Sequence, residues 1–136
     1  MSGDLDDKRV PESVRDRAND LMLKTVANKD MIVNLCINYG GRQDVLRAAN
    51  MLISDGQTEL TIEDIDSHLY TRSMLPLDLI IRTSGEMRLS NFMLWQSAYS
   101  EFCFYKKFWP AFTKQDLIKC IKNYLKRDRR FGGIKE

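Results

Sequence analysis

Residues 77–105 read LDLIIRTSGEMRLSNFMLWQSAYSEFCFY and contain two apolar runs separated by a more polar segment. It opens with the apolar run LDLII at residues 77–81 and closes with EFCFY at residues 101–105. Runs of branched and aromatic side chains of this length are typical of β-strands buried on both faces. A third such run, MIVNLCI, occupies residues 31–37 and predicts a further buried strand upstream.

Amphipathic helices are predicted around these strands. Apolar residues recur at helical spacing in five segments, at residues 11–27, 42–53, 61–70, 90–99 and from Thr113 onward. Thr61, followed by Asp64, and Thr113 predict N-caps for the third and fifth segments. In the second segment the pattern places on the buried face Val45, Leu46, Ala49, Leu52 and Ile53. Helices that alternate with buried strands predict an α/β fold, a parallel-sheet sandwich with helices on both faces.

The bulk composition fits one intracellular domain. The chain has 136 residues, of which 43% are hydrophobic and 29% charged, as expected for a single globular domain. A net charge of +2 argues against general nucleic-acid binding. No run reaches the roughly 20 apolar residues that span a bilayer, and the start of the chain has no signal-peptide core. We therefore expect a cytoplasmic protein that can still contact a membrane surface, with residues 1–10 as a polar tail.

The cysteines give no sign of a metal or disulfide framework. Cys36, Cys103 and Cys120 are odd in number and widely spaced, and the chain contains no Cys-x-x-Cys pair. This pattern predicts reduced thiols in apolar surroundings.

Two polar clusters follow predicted strands, at the point where each strand ends. NYGGR occupies residues 38–42 and RTSGEMR occupies residues 82–88. In parallel sheets, ligands bind beyond the carboxyl ends of the strands. We therefore expect both clusters to line the same edge of the sheet.

The second cluster has the chemistry of an oxyanion receptor. Arg82 and Arg88 offer forked, charge-assisted hydrogen bonds that suit the oxygens of a diphosphate. Ser90 stands at the start of a predicted helix, where free N–H groups favour an anion. An alternative remains open, because loop arginines often pair with a local acid such as Glu86. Glu101 begins the last strand, where its carboxylate either holds Mg²⁺ near the same sheet edge or points to solvent.

The motifs together closely resemble the cis-prenyltransferase family, the undecaprenyl diphosphate and dehydrodolichyl diphosphate synthases. The resemblance rests on DLIIRTSGEMRLSNFMLWQSAYSEFCF, with NYGGR upstream, WPAF downstream and RRFGG near the end. It runs from about Val10 to Gly133. It implies that residues 11–136 are the C-terminal portion of a single cis-prenyltransferase domain, incomplete relative to the full fold.

The resemblance implies a condensing enzyme. Such enzymes add isopentenyl diphosphate, with Mg²⁺, to an allylic diphosphate such as farnesyl diphosphate, and each new double bond of the long polyprenyl diphosphate is cis. Carried over by position, Arg82, Arg88 and Ser90 would bind the diphosphate of isopentenyl diphosphate, and Glu101 would support Mg²⁺. Family members are dimers in which an Arg-x-Gly motif reaches the partner's diphosphate site, and here that motif includes Arg130 and Gly132.

One family motif does not occur in the sequence. The family's Asp-Gly-Asn-Gly-Arg loop binds the allylic diphosphate and carries the central catalytic Asp, and no such run is present. We therefore assign no catalytic residue and expect the chain alone to be inactive. Three interpretations remain: part of a longer synthase, a non-catalytic partner that supplies Arg130 and Gly132 in trans to a complete subunit, and a phosphate-binding module without prenyl chemistry. The resemblance implies either a homodimer or a heterodimer with a related subunit.

Overall fold

A computed structural model of the chain describes residues 1–127. Its elements, in order, are α1 (Glu12–Thr25), α2 (Gly41–Ser54), α3 (Ile62–His68), β1 (Leu79–Arg82), β2 (Glu101–Phe104), a 3-10 turn (Trp109–Ala111) and α4 (Lys114–Tyr124). They form two compact units. The first unit, Met1–Met74, contains the first three helices, and the second begins at Leu75 and contains the strands and α4. Within the described part of the chain, no helix is long and apolar enough to cross a membrane.

The two strands of the second unit form a parallel sheet. Leu79 pairs with Glu101 and Arg82 with Phe104, so β1 and β2 run side by side over their full length. Ile80, in the middle of β1, is buried. The observed strands lie within two residues of the predicted runs, and the prediction of an α/β fold with a parallel sheet is confirmed.

The prediction of a buried strand at residues 31–37 is wrong. Only an isolated parallel bridge, between Ser2 and Cys36, involves this segment. Ser2 N–H donates to the Leu35 carbonyl and Ile37 N–H donates to the Ser2 carbonyl, both at 3.0 Å. Met31 and its apolar neighbours are mostly exposed, because no neighbouring strand covers them within residues 1–127. The expectation that both polar clusters end strands of one sheet therefore loses its basis.

The first ten residues, predicted as a polar tail, make specific contacts. Ser2 and Val10 are buried, and Asn34 Nδ2 donates to Ser2 Oγ at 2.8 Å. Gly3 has a φ of +113°, and a Cβ added there would lie 2.0 Å from the Ile37 carbonyl oxygen. Only glycine tolerates both this conformation and this close approach. The segment is therefore packed within the first unit.

The buried face of α2 differs from the predicted one. Its buried residues are Gly41, Asp44, Ala48 and Leu52, whereas Leu46 and Ile53 are exposed. Asp44 accounts for this orientation, because its carboxylate oxygen Oδ1 accepts from Tyr70 N–H at 3.0 Å and from Arg47 Nη2 at 3.1 Å. These donors offset the cost of burying the carboxylate, so Asp44 can occupy the inward face of the helix.

Arg47 completes a hydrogen-bonded link between α2 and the end of α3. Its Nη2 also donates to the His68 carbonyl at 2.6 Å, and its guanidinium lies 3.9 Å from the centre of the Tyr70 ring.

The predicted helix caps are confirmed. Thr61 and Asp64 form a reciprocal capping box at the start of α3, and Thr113 caps α4 in the same way.

Asp44→Ala is expected to destabilise the first unit by about 2–4 kcal/mol, because it leaves buried donors without their acceptor. Asp16→Ala, at an exposed position of α1, is the matched control and should change stability by less than about 0.5 kcal/mol. Urea unfolding followed by circular dichroism measures both values. Equal values for the two variants would show that the Asp44 contacts do not stabilise the unit.

The predicted helix at residues 90–99 is not formed. Turns occupy this segment, and Ser90, Asn91 and Met93 have φ values of 49°, 66° and 48°. Positive φ values interrupt a right-handed helix because its hydrogen bonds require φ near −60°. The helix N-terminus expected to favour an anion at Ser90 is therefore absent from the structure.

Candidate functional site

Residues 82–90, which we call the arginine loop, begin at the carboxyl end of β1. Backbone hydrogen bonds hold the start of the loop against the chain that leaves β2. Tyr105 N–H donates to the Arg82 carbonyl at 2.7 Å, Ser84 N–H to Lys107 at 2.8 Å and Gly85 N–H to Tyr105 at 2.9 Å. Ser84 and Gly85 both have positive φ values, near 70°. The polar loop thus lies at the sheet edge where ligands of parallel sheets bind.

The side chain of Arg82 crosses the arginine loop. Its Nη1 group donates to Ser90 Oγ at 3.2 Å and to the carbonyl oxygen of Arg88. These two bonds use one of the three guanidinium nitrogens. The structure therefore brings Arg82, Ser90 and the backbone of Arg88 together. Arg82 is half-buried, whereas Ser90 and Arg88 are exposed.

The guanidinium of Arg88 is directed elsewhere. It forms an ion pair with the Glu86 carboxylate, and the side chain of Arg88 is 62% exposed. The alternative in which a loop arginine pairs with a local acid is thus observed for Arg88. Exposed pairs of this kind contribute roughly 0–1 kcal/mol. A diphosphate, which carries more charge than one carboxylate, can therefore replace Glu86 at small cost.

Glu101 lies at the other end of the sheet, which corrects the expectation that it shares an edge with the arginine loop. It pairs with Leu79 at the amino end of β2, whereas Arg82 pairs with Phe104 at the carboxyl end. At about 3.3 Å per residue, roughly 10 Å of strand separates the two positions. The Glu101 carboxylate accepts a hydrogen bond from Arg127 Nη1.

The described residues do not fit a Mg²⁺ site by themselves. Among residues 1–127, no three His, Cys, Asp or Glu side chains come together as metal ligands. Glu101 offers a single carboxylate, and that carboxylate already pairs with a guanidinium. Mg²⁺ prefers six oxygen ligands in octahedral geometry. Arg130 and Gly132, the other predicted site residues, lie outside the described residues.

An apolar groove beside β1 is separate from the arginine loop. The cavity, of about 440 Å³, is lined in part by Leu79, Ile81, Trp109 and Leu117. Successive side chains of a strand point to opposite faces, so Ile81 faces the groove and Arg82 faces away from it. The groove therefore does not extend the predicted anion site.

The sequence did not predict the residues that hold the chain segment to which the arginine loop is hydrogen-bonded. Asp116, buried at the start of α4, accepts from Tyr105 OH at 2.7 Å and from Lys107 Nζ at 2.8 Å. The Lys107 backbone in turn accepts from Ser84 in the loop. The only signal in the sequence was the Thr113-x-x-Asp116 spacing of a capping box. That spacing predicts the cap and says nothing of Tyr105 or Lys107.

These contacts shift the titration of both partners. The hydrogen bond from Lys107, followed by those from Tyr105 and Thr113, holds the pKa of Asp116 well below its usual range. The hydrogen bond to Asp116 raises the pKa of Tyr105 to about 12. Both shifts favour the ionised carboxylate and the neutral phenol, so the contact is complete at neutral pH.

Acid is expected to weaken the second unit through Asp116. Because the folded-state pKa is lowered, the carboxylate contributes fully above its unfolded pKa, near pH 4, and this contribution is lost as the pH falls further. Between pH 6 and pH 3, the Tm of the unmodified chain should fall by about 5 °C more than that of Asp116→Asn. Asp30→Asn, at an exposed position, is the control and should retain the full acid sensitivity. An equal fall in Tm between pH 6 and pH 3 for all three chains would contradict the assignment.

Comparison with known proteins identifies the family. The family model described as "Putative undecaprenyl diphosphate synthase" matches residues 1–132, a range that begins before Val10. The isoprenyl transferase of Thermotoga maritima is 47% identical over 129 residues, which cover 92% of this chain. The isoprenyl transferase of Clostridium perfringens is 46% identical over 139 residues, with 98% of this chain covered.

Solved structures agree with this match. A probable undecaprenyl diphosphate synthase from Campylobacter jejuni is 37% identical, with a TM-score of 0.82 over 96% of this chain and 60% of its own. The lavandulyl diphosphate synthase of Lavandula x intermedia, solved in complex with dimethylallyl diphosphate, is 35% identical. Its TM-score is 0.86, over 96% of this chain and 58% of its own.

The chain spans about half the length of the curated relatives that it matches, 55% for Thermotoga maritima and 54% for Clostridium perfringens. The predicted resemblance to cis-prenyltransferases is confirmed. With residues 1–132 matched to the family model and relatives above 40% identity, the chain belongs to the undecaprenyl diphosphate synthase family of prenyltransferases.

Proposed function

We propose that the chain provides the acceptor site of a cis-prenyltransferase, in which the arginine loop binds the diphosphate of isopentenyl diphosphate. The observation that carries the proposal is the contact of the Arg82 guanidinium with Ser90 Oγ and the Arg88 carbonyl. This contact brings two of the three proposed binding side chains together beyond the carboxyl end of a parallel strand. Family membership supports the same ligand class.

The charges of the arginine loop suit a diphosphate better than a monophosphate. Arg82 and Arg88 lie six positions apart, and each guanidinium can form two parallel bonds to phosphate oxygens. Glu86 offsets one of these two positive charges until a ligand displaces it. The relative from Lavandula x intermedia was solved with dimethylallyl diphosphate, and this supports a prenyl diphosphate as the ligand.

In the proposed reaction, the bound isopentenyl group is the acceptor. The allylic diphosphate loses its diphosphate from carbon, the alkene of isopentenyl diphosphate forms the new carbon–carbon bond, and a proton then leaves. Arg82, Arg88 and Ser90 act by holding the acceptor's diphosphate, which fixes its alkene in line for attack.

Mg²⁺ would neutralise diphosphate charge when bound. Glu101 is the one predicted ligand within residues 1–127, so the whole enzyme would need further ligands.

The donor side of the reaction has no assigned residue in this sequence, which contains no Asp-Gly-Asn-Gly-Arg run. We infer that the 136-residue chain is catalytically incomplete by itself. The intact arginine loop favours part of a synthase over a non-catalytic partner, because a partner without chemistry would have no need for an acceptor site. The role of Arg130 and Gly132 in a homodimer or heterodimer belongs to the same proposal.

Titration calorimetry with isopentenyl diphosphate and isopentenyl monophosphate tests the proposed ligand class. The diphosphate is expected to bind at least about tenfold more tightly, because it engages both arginines with charge-assisted hydrogen bonds. Inorganic diphosphate should compete for the same site. Equal affinity for the two prenyl ligands, or no competition, would remove the basis for a diphosphate site.

A further inference from the structure

Two cysteines of the second unit lie in contact. The Sγ atoms of Cys103, on β2, and Cys120, on α4, are 2.7 Å apart. Both are free thiols. Cys120 is 1% exposed, whereas Cys103 is only partly buried. The third cysteine, Cys36, belongs to the first unit.

Rigid elements on both sides hold the two thiols in place. Cys103 is the third residue of β2 and pairs with Ile81. Cys120 lies one helical turn after Asp116 on the buried face of α4, and Asp116 is tied to Tyr105 just beyond β2. The same anchor that orients α4 therefore places Cys120 against Cys103.

We propose that Cys103 and Cys120 are an oxidation site, at which a hydroperoxide converts the two thiols into an intramolecular disulfide. The thiolate of Cys103 attacks the peroxide, the O–O bond breaks, and one water leaves as Cys103 becomes a sulfenic acid. Cys120 then attacks the Cys103 sulfur, the S–O bond breaks, and the departing hydroxide leaves with the Cys120 proton as a second water. The two thiols lose two electrons in total, and hydrogen peroxide gains them.

The exposure of the two thiols sets the order of these steps. Cys103 is the more exposed of the two residues and is therefore expected to meet the oxidant first. Burial raises the pKa of Cys120 to about 12, so this thiol stays protonated and unreactive toward oxidants in solution. It reacts only with the adjacent sulfenic acid. The resulting disulfide links β2 to α4 across a sequence separation of 17 residues. This proposal does not depend on the proposed prenyl chemistry.

Treatment of the full chain with hydrogen peroxide, followed by thiol counting and non-reducing peptide mass spectrometry, tests the site. The number of free thiols should fall from three to one, with a peptide pair joined through Cys103 and Cys120. The Tm should rise, because the bond restricts the unfolded chain, and a reductant should reverse the rise. Persistence of all three thiols, or linkage through Cys36 to a second copy, would overturn the proposal.

Substitutions of single cysteines distinguish the thiol that reacts with peroxide from the thiol that attacks the sulfenic acid. Cys36→Ser is the matched control and should form the disulfide as the unmodified chain does. Cys120→Ser should leave a sulfenic acid at Cys103 that dimedone traps, and Cys120→Ala provides the same test without a buried hydroxyl. In Cys103→Ser, the buried Cys120 should resist peroxide. Loss of the Cys120 thiol in that variant at the rate seen with Cys103 present would contradict the assigned order.

Discussion

Arg82→Ala is expected to weaken binding of isopentenyl diphosphate by roughly 30- to 100-fold, as calorimetry would measure it. The substitution removes charge-assisted donors to the diphosphate. It also removes the contacts with Ser90 Oγ and the Arg88 carbonyl that close the arginine loop, so the remaining donors lose their preorganised positions. Arg82→Lys should recover only part of the affinity, because an ammonium cannot replace the planar fork.

Arg88→Ala supplies the comparison within the same loop. Its guanidinium is exposed and paired with Glu86, so its loss should cost roughly tenfold in affinity and leave the loop closed. Lys119→Ala, on the exposed face of α4, is the charge-matched control and should cost less than about twofold. Equal losses for all three variants would mean that overall charge, rather than the loop, attracts the ligand.

No polyprenyl product is expected when the purified chain is incubated with labelled isopentenyl diphosphate, farnesyl diphosphate and Mg²⁺. Ionisation of the allylic diphosphate requires a clamp on the leaving group and neutralisation of its charge. The family's Asp-Gly-Asn-Gly-Arg loop, implied to perform this step, has no counterpart in the sequence. Thin-layer separation of the labelled lipids measures the outcome.

The isoprenyl transferase of Thermotoga maritima, assayed in parallel, is the positive control, because it is a longer relative at 47% identity. Elongated product from the pure 136-residue chain would contradict the inference that the chain is catalytically incomplete. A chain that binds isopentenyl diphosphate and forms no product would fit an acceptor site without a donor site.

The parallel strands and the capped helices were predictable because their signals are local. Apolar runs predicted β1 and β2 to within two residues. Thr61 and Thr113 predicted the starts of their helices, because the side chain of each accepts a hydrogen bond from the backbone three residues later. Residues 31–37 have the same apolar pattern without strand neighbours and remain largely exposed. An apolar run predicts a strand only where another strand is available to pair with it.

The composition of the proposed site could be read from the sequence, whereas the arrangement of its residues could not. The density of donors in residues 82–90 indicated an anion site, and the structure brings Arg82 to Ser90. The separation of Glu101 from Arg82 depends on strand register, which a sequence specifies only through the pairing of two distant segments. The support from Asp116 was likewise hidden, because Lys107 and Tyr105 reach it across a turn.

The most direct test of the diphosphate assignment is a titration of the ¹⁵N-labelled chain with isopentenyl diphosphate, followed by nuclear magnetic resonance. Saturable shifts are expected at the side-chain Nε–H signals of Arg82 and Arg88 and at the backbone amides of Ser84 and Gly85. Signals from α1 and from Lys119 should remain in place. Shifts that map to α1 or α4, with the arginine loop unchanged, would contradict the assignment of the acceptor site.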